Sequence, residues 1–156
     1  MGYLLGIDVG TTSTRALLIA EDGTVVASHA TEYPLSTPRP NWAEQDPLDW
    51  WAAACDSTRA ALAQAGVDGG DVAAVGLSGQ MHGSVFLDGG DEVIRPAILW
   101  CDQRTARQCA TITETVGERD VIAETLNPVL TGFTAPKIVW LRDEEPERYA
   151  RVRRVL

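Results

Sequence analysis

Tyr3-Leu4-Leu5-Gly6-Ile7-Asp8-Val9-Gly10-Thr11-Thr12-Ser13-Thr14-Arg15-Ala16-Leu17-Leu18-Ile19 is the stretch whose reading decides the fold. An apolar run closes on one carboxylate, Asp8. A glycine and four hydroxyl-bearing residues follow, and then a second apolar run. The pattern predicts a β-hairpin with strands over 3–9 and 15–20 and a tip of Gly, Thr and Ser. Gly10 lets the backbone approach a bulky anion. Backbone N–H groups and the hydroxyls of Thr11, Thr12, Ser13 and Thr14 can donate to phosphate oxygens. Asp8 repels phosphate, so a cation must stand between them. Magnesium suits this arrangement, because it keeps several waters and takes only one or two carboxylates beside phosphates. The tip is not a P-loop: no Gly-Lys-Ser/Thr is present, and the turn leads into a strand, not a helix. An ordinary hairpin with a polar turn has the same pattern, and these residues alone leave both readings open.

The rest of the chain bounds the setting. Its 156 residues, 45% hydrophobic, suffice for one domain with a real core. A net charge of -9 argues against non-specific nucleic-acid binding, which needs a basic face. Cys55, Cys101 and Cys109 form no CxxC, so neither a zinc site nor a disulfide framework is expected. A reducing compartment fits that cysteine usage. No charged leader or long apolar run stands at the start, so cytoplasmic localisation is expected, without a membrane or nucleic-acid partner.

Past the hairpin, Glu21-Asp22-Gly23 signals a tight turn and 24–31 a third strand. Pro34, Pro38, Pro40 and Pro47 keep 33–47 irregular. A helix starts near Asp46 with Pro47 in its first turn, and runs to Ala65 before Gly66. Trp50, Ala54, Ser57 or Thr58, Ala61, Leu62 and Ala65 give it a packing face. A buried strand is expected over 72–77, a turn over 76–83, a returning strand over 84–87 and an extended segment over 94–99. Helices follow over 102–116, closed by Gly117, over 121–126, from Pro136 to about Arg142, and after Pro146. Val155-Leu156 reads as the opening of a further strand. This order predicts α/β with a mixed sheet, not the alternation of a dinucleotide-binding fold. An apolar, strand-like end where a polar linker would mark a boundary reads as a truncated chain.

Three further segments carry a resemblance: Pro40-Asn41-Trp42-Ala43-Glu44-Gln45-Asp46-Pro47 with Trp50-Trp51, Gly76-Leu77-Ser78-Gly79-Gln80-Met81-His82-Gly83, and Ile98-Leu99-Trp100-Cys101-Asp102-Gln103-Arg104-Thr105. With the hairpin, their order and spacing resemble the N-terminal half of the carbohydrate-kinase family that includes glycerol and xylulose kinases. Gln80-Met81-His82-Gly83 is similar to the xylulose kinases in particular. Thr131-Gly132-Phe133-Thr134-Ala135-Pro136-Lys137 is similar to a later segment of the same enzymes.

The resemblance implies an actin-like (ribonuclease H-like) ATPase domain, with a mixed sheet flanked by helices and incomplete at its C-terminus. Residues 1–156 would be the N-terminal sugar-binding domain of a two-domain kinase, without the second, nucleotide-binding domain. ATP and Mg2+ are the implied cofactors and D-xylulose the implied sugar substrate; the full-length enzyme could pair as a homodimer. Asp8 would act on the magnesium–phosphate side, and Gly10, Thr11, Thr12, Ser13 and Thr14 beside the transferred group. Gln80, Met81 and His82 would meet the polyol, and Trp100 would wall its carbon chain. Asp102 and Arg104 would support that motif. Glycerol kinases carry an ion pair at the positions of Met81 and His82, which favours a longer sugar here. The chemistry is coherent: Gln80 and His82 both donate and accept, and Met81 packs against carbon without fixed geometry.

The general base is expected beyond residue 156, so the 156-residue chain alone is expected to be inactive. Packing roles for Trp42, Trp50 and Trp51, a core or cleft-wall Trp100, a local Asp102–Arg104 ion pair, a structural His82 and a solvated surface Lys137 remain open alternatives. So do a kinase for ribulose, glycerol or gluconate, and a non-catalytic actin-like binding module.

Overall fold

The computed structural model describes residues 2–156. The chain divides into two units, Met1–Leu35 with Pro47–Gln80, and Ser36–Asp46 with Met81–Leu156.

The first unit is a four-stranded sheet with one long helix. Its strands are β1 (Tyr3–Val9), β2 (Ser13–Ala20), β3 (Val25–Glu32) and β5 (Val72–Gly79), in the order β3-β2-β1-β5. β1, β2 and β3 are joined by tight turns and pair antiparallel. β1 and β5 pair parallel, the crossover being α1 (Pro47–Ala65). Alternation in β1 and β2 places Leu5, Ala16 and Leu18 on one face. There they pack with Ala27 and Ala61, and with the partly buried Tyr3, Ile7 and Leu62. The buried stripe of α1 is Ala53, Ser57 and Ala61, spaced by four. Its small side chains let the helix lie close to the sheet. Ser57 Oγ donates to the Thr14 carbonyl at 2.8 Å and to Thr31 Oγ1 at 2.9 Å, which satisfies the polar group at that contact. Gly66, at φ 65°, stops the helix as expected.

Three expectations change in this unit. β5 is not a buried strand: it is the sheet edge, and Val75 and Leu77 are 56% and 78% exposed. A short apolar run cannot tell a covered strand from an edge strand. The packing face of α1 passes through Ala53, not Ala54, and Trp51 is 72% exposed, not packed. β2 starts at Ser13, so the turn proper is Gly10, Thr11 and Thr12.

The second unit has short strands and most of the helices. β4 (Glu44–Gln45) pairs antiparallel with β7 (Ala97–Ile98), and β6 (Phe86–Leu87) with β8 (Arg154–Val155). α2 (Ala106–Val116) and α3 (Glu118–Thr125) are separated by Gly117, whose φ of 93° makes the break. α4 (Thr134–Glu144) carries Pro136 in its first turn, where no backbone donor is required, and α5 (Pro146–Arg151) follows. Phe86, Ile98, Trp140 and Leu141 form the core, with Trp42, Ile138 and Val155 against it. The strand predicted over 84–87 shrinks to two residues, and the extended segment over 94–99 pairs as a strand only at Ala97–Ile98, since turns at both ends leave little length for pairing.

Candidate functional site

In the first unit, Asp8 stands exposed near the end of β1, opposite Arg15 on β2 and beside Ser78 on β5. The hairpin tip is braced from beneath. Gly10 N–H donates to the Ser13 carbonyl at 3.0 Å, closing the turn. A Cβ at Gly10 would lie 3.2 Å from that same carbonyl, so the tightness of the turn itself calls for glycine. The Gly10 carbonyl accepts Tyr33 Oη at 2.5 Å and Gln80 Nε2 at 3.3 Å. Thr11 Oγ1 donates to Gln80 Oε1 at 3.4 Å. Thr12 is exposed, while Thr11 and Ser13 are half-buried.

Thr14 is a correction. Its side chain is fully buried and its Oγ1 donates to Tyr33 Oη at 3.5 Å, because alternation along β2 turns it toward α1. The hydroxyls at the outer tip are therefore those of Thr11, Thr12 and Ser13. Gln80, expected at the sugar, has its amide on the hairpin turn. Among the described residues no group of three His, Cys, Asp or Glu could hold a metal by itself. One exposed carboxylate beside a turn of donors fits magnesium carried in on phosphates, and does not fit an all-protein metal cage. An open hollow of about 320 Å³ on the sheet is lined by Gly6, Asp8, Arg15, Leu17, Leu77 and Ser78 among others.

In the second unit, Met81 is 70% exposed, Trp100 48%, and His82 is exposed too. His82 takes a positive φ of 60°, an uncommon conformation for a residue with a Cβ. Its ring lies 4.6 Å from that of Phe133, tilted by 44°. Asp102 is fully buried and the Arg104 side chain is 1% exposed. Asp102 accepts Arg104 Nη2 at 2.7 Å, Arg104 Nε at 3.0 Å and the Ala43 amide at 2.7 Å. Arg104 Nη1 donates to Glu44 at 2.7 Å, and Glu44 also accepts Arg95. The Arg104 guanidinium lies 3.7 Å from the Trp42 ring centre and 4.9 Å from that of Trp140. The two rings meet edge to face at 5.5 Å. Asp102 and Arg104 thus hold the Trp100 turn to β4 from inside.

Sequence reasoning missed three of these parts, Tyr33, Glu44 and Arg95, and the solvated surface position left open for Lys137 is overturned. Lys137 is fully buried, and its ammonium donates to the carbonyls of His82 at 2.5 Å and Gly132 at 2.7 Å. Burial pushes its pKa down to about 8, against the pull of Asp102. Its place in the Thr131–Lys137 segment and its being the only lysine in the chain were the available signals.

Comparison with known proteins shows the family and the fold. Residues 3–156 match the FGGY family of carbohydrate kinases, N-terminal domain. The chain is 41% identical over 157 residues to a xylulose kinase of Lactococcus lactis, covering 100% of this chain and 31% of that protein. It is 39% identical over 150 residues to a glycerol kinase of Methylobacterium nodulans, covering 95% of this chain and 30% of that protein. The crystal structure of a xylulose kinase from Rhodospirillum rubrum superposes with a TM-score of 0.92 at 31% identity, over 98% of this chain and 31% of that one. The chain thus spans under a third of the length of these relatives, and its fold is that of an actin-like ATPase domain.

Proposed function

We propose, on the premise that the chain belongs to the FGGY family of carbohydrate kinases and matches its N-terminal domain, that the protein phosphorylates D-xylulose to D-xylulose 5-phosphate with ATP. The observation that carries the sugar is the exposed Met81-His82 pair, with His82 at a positive φ of 60°. An imidazole edge can donate or accept, and a thioether packs against the C–H face of a chain of hydroxylated carbons. Trp100, half exposed and held from beneath by Asp102 and Arg104, supplies a flat apolar wall. A site that pairs several hydroxyls rejects analogues lacking them.

Asp8 and the tip formed by Gly10, Thr11, Thr12 and Ser13 make up the phosphate side. Magnesium, when bound on the phosphates, neutralises charge developing on the transferred group. The residues of this chain orient and bind: Asp8 gives the carboxylate, and the tip gives backbone and hydroxyl donors. Gln80 and Tyr33 hold the Gly10 carbonyl in place. The base that takes the sugar proton and the adenosine contacts are assigned to no residue of this chain, so residues 1–156 alone are proposed to be inactive. A cytoplasmic location and a homodimer of the whole enzyme accompany this reading.

Calorimetric titration of the full-length protein with D-xylulose, D-ribulose, glycerol and gluconate tests it, together with sugar-stimulated ADP release. Tightest binding and fastest release with D-xylulose are expected. Preference for glycerol would replace the substrate, in keeping with the glycerol kinase of M. nodulans at 39% identity. No response to any of the four would leave an actin-like binding module.

A further inference from the structure

The Lys137 ammonium sits where three segments of the second unit meet. One is the turn that carries Met81, His82 and Gly83. Another is the loop before α4, from Thr131 to Phe133. The last is the Trp100 turn, which touches that loop so closely that a Cβ on Gly132 would lie 2.6 Å from the Trp100 carbonyl oxygen. Lys137 donates to the first segment at the His82 carbonyl and to the second at the Gly132 carbonyl. Phe133 in turn packs its ring against the His82 imidazole. His82 has a positive φ, a conformation that relaxes unless its surroundings over-determine it. A fully buried lysine is rare, and this one gives its donors to the backbone carbonyls of His82 and Gly132, with no carboxylate salt bridge to it among the described residues.

We propose that Lys137 is a positioning residue for the sugar: by clamping the His82 and Gly132 carbonyls it holds the His82 imidazole against Phe133 in the orientation that meets the substrate. This rests on the reading of Met81 and His82 as sugar contacts. The groups that bear on the ammonium are Asp102, which favours its charge, the Cys101 thiol, Arg104, which opposes it, and His82 itself. With the pKa lowered to about 8, the charged clamp is present at neutral pH and fades above it. A neutral amine donates more weakly than an ammonium.

The test uses the full-length protein and the variants Lys137→Met and Lys137→Arg. In the wild type, the dissociation constant for D-xylulose rises as pH passes from 7 to 9. In Lys137→Met it is about ten- to a hundredfold weaker at pH 7, the range for bonds to a charged donor, and loses that pH inflection. Lys137→Arg, charged throughout, restores part of the affinity without the inflection. A purely structural lysine would lower the melting temperature and the active fraction but leave the sugar constant and its pH profile unchanged; that result overturns the inference.

A second readout does not depend on the sugar. The His82 ring protons carry a ring-current shift from Phe133 in the wild type, and Lys137→Met is expected to abolish it. If the shift survives in a folded Lys137→Met protein, Lys137 does not position His82. If the shift is lost but no sugar binds the wild type, the clamp stands as local geometry and the xylulose reading fails.

Discussion

Tyr33 Oη donates to the carbonyl of Gly10 at 2.5 Å, tying the chain just after β3 to the tip of the first hairpin. The same hydroxyl accepts Thr14 Oγ1 at 3.5 Å. Burial raises the phenol pKa, the bond from Thr14 lowers it, and the charge of Asp8 adds to the rise. Tyr33 therefore stays a neutral donor across the physiological range. Tyr33→Phe is expected to cost about 1 kcal/mol in denaturant unfolding. It should also raise the KM for ATP while speeding amide exchange at Thr11 and Thr12. Unchanged exchange there would show that the tip does not need this brace.

Asp8 is exposed and fills no space in the core. Asp8→Asn is expected to leave unfolding free energy within about 0.5 kcal/mol of the wild type, as surface changes do. Phosphoryl transfer should fall by about two to three orders of magnitude, the scale for losing one electrostatic group at a reacting centre. Magnesium titration of the residual activity is the check: the variant should need more metal to saturate. Equal metal dependence in both proteins would remove Asp8 from the magnesium side.

Asp102 accepts four bonds from Arg104 and one from the Ala43 amide in a fully buried position. Deleting its carboxylate leaves Arg104, packed on the Trp42 and Trp140 rings, with only the Glu44 carboxylate that it shares with Arg95. Breaking a buried pair costs about 3–5 kcal/mol because the remaining charge is uncompensated. Asp102→Ala is expected to lose that much stability in urea. An Asp102→Ala protein as stable as the wild type would show that this network does not hold the Trp100 turn to β4.

The stability of the protein should depend on Lys137 in the alkaline range. Its folded pKa, about 8, lies below the ordinary 10.5. Between these values the unfolded chain holds more protons, so this residue makes stability rise with pH there and adds no slope below pH 8. The rise is at most on the order of 3 kcal/mol. Tyr33 and Cys109, both pushed up by burial, act in the opposite sense. The comparison that isolates Lys137 is therefore wild type against Lys137→Met. From pH 8 to 10 the stability difference should move in favour of the wild type. A constant difference would mean that the ammonium is not burdened by burial.

The N-terminal meander was legible because its signals are local. Alternation over β1 and β2, the Glu21-Asp22-Gly23 turn and the stop at Gly66 each act within a few residues. Gly117 was legible for the same reason. The exposed members of the candidate site, Asp8, Thr12, Met81, His82 and Trp100, were legible as chemistry without packing. β5 was misread because an apolar run looks alike whether a helix covers it or not, and α1 lies over β2 and β3 instead.

By itself, the sequence determined the hairpin with its Asp8, the mixed α/β order and the family. These follow from short-range periodicity, turn chemistry and motifs in a fixed order. Only the tertiary structure decided which polar residues work inward. Thr14 and Ser57 bond beneath the hairpin, Asp102 and Arg104 bond to β4 and its flank, and Lys137 clamps His82 from 55 residues away. The physical reason is that a polar side chain is inward or outward according to partners brought by distant chain, and burial leaves no mark on the residue's own neighbours in sequence.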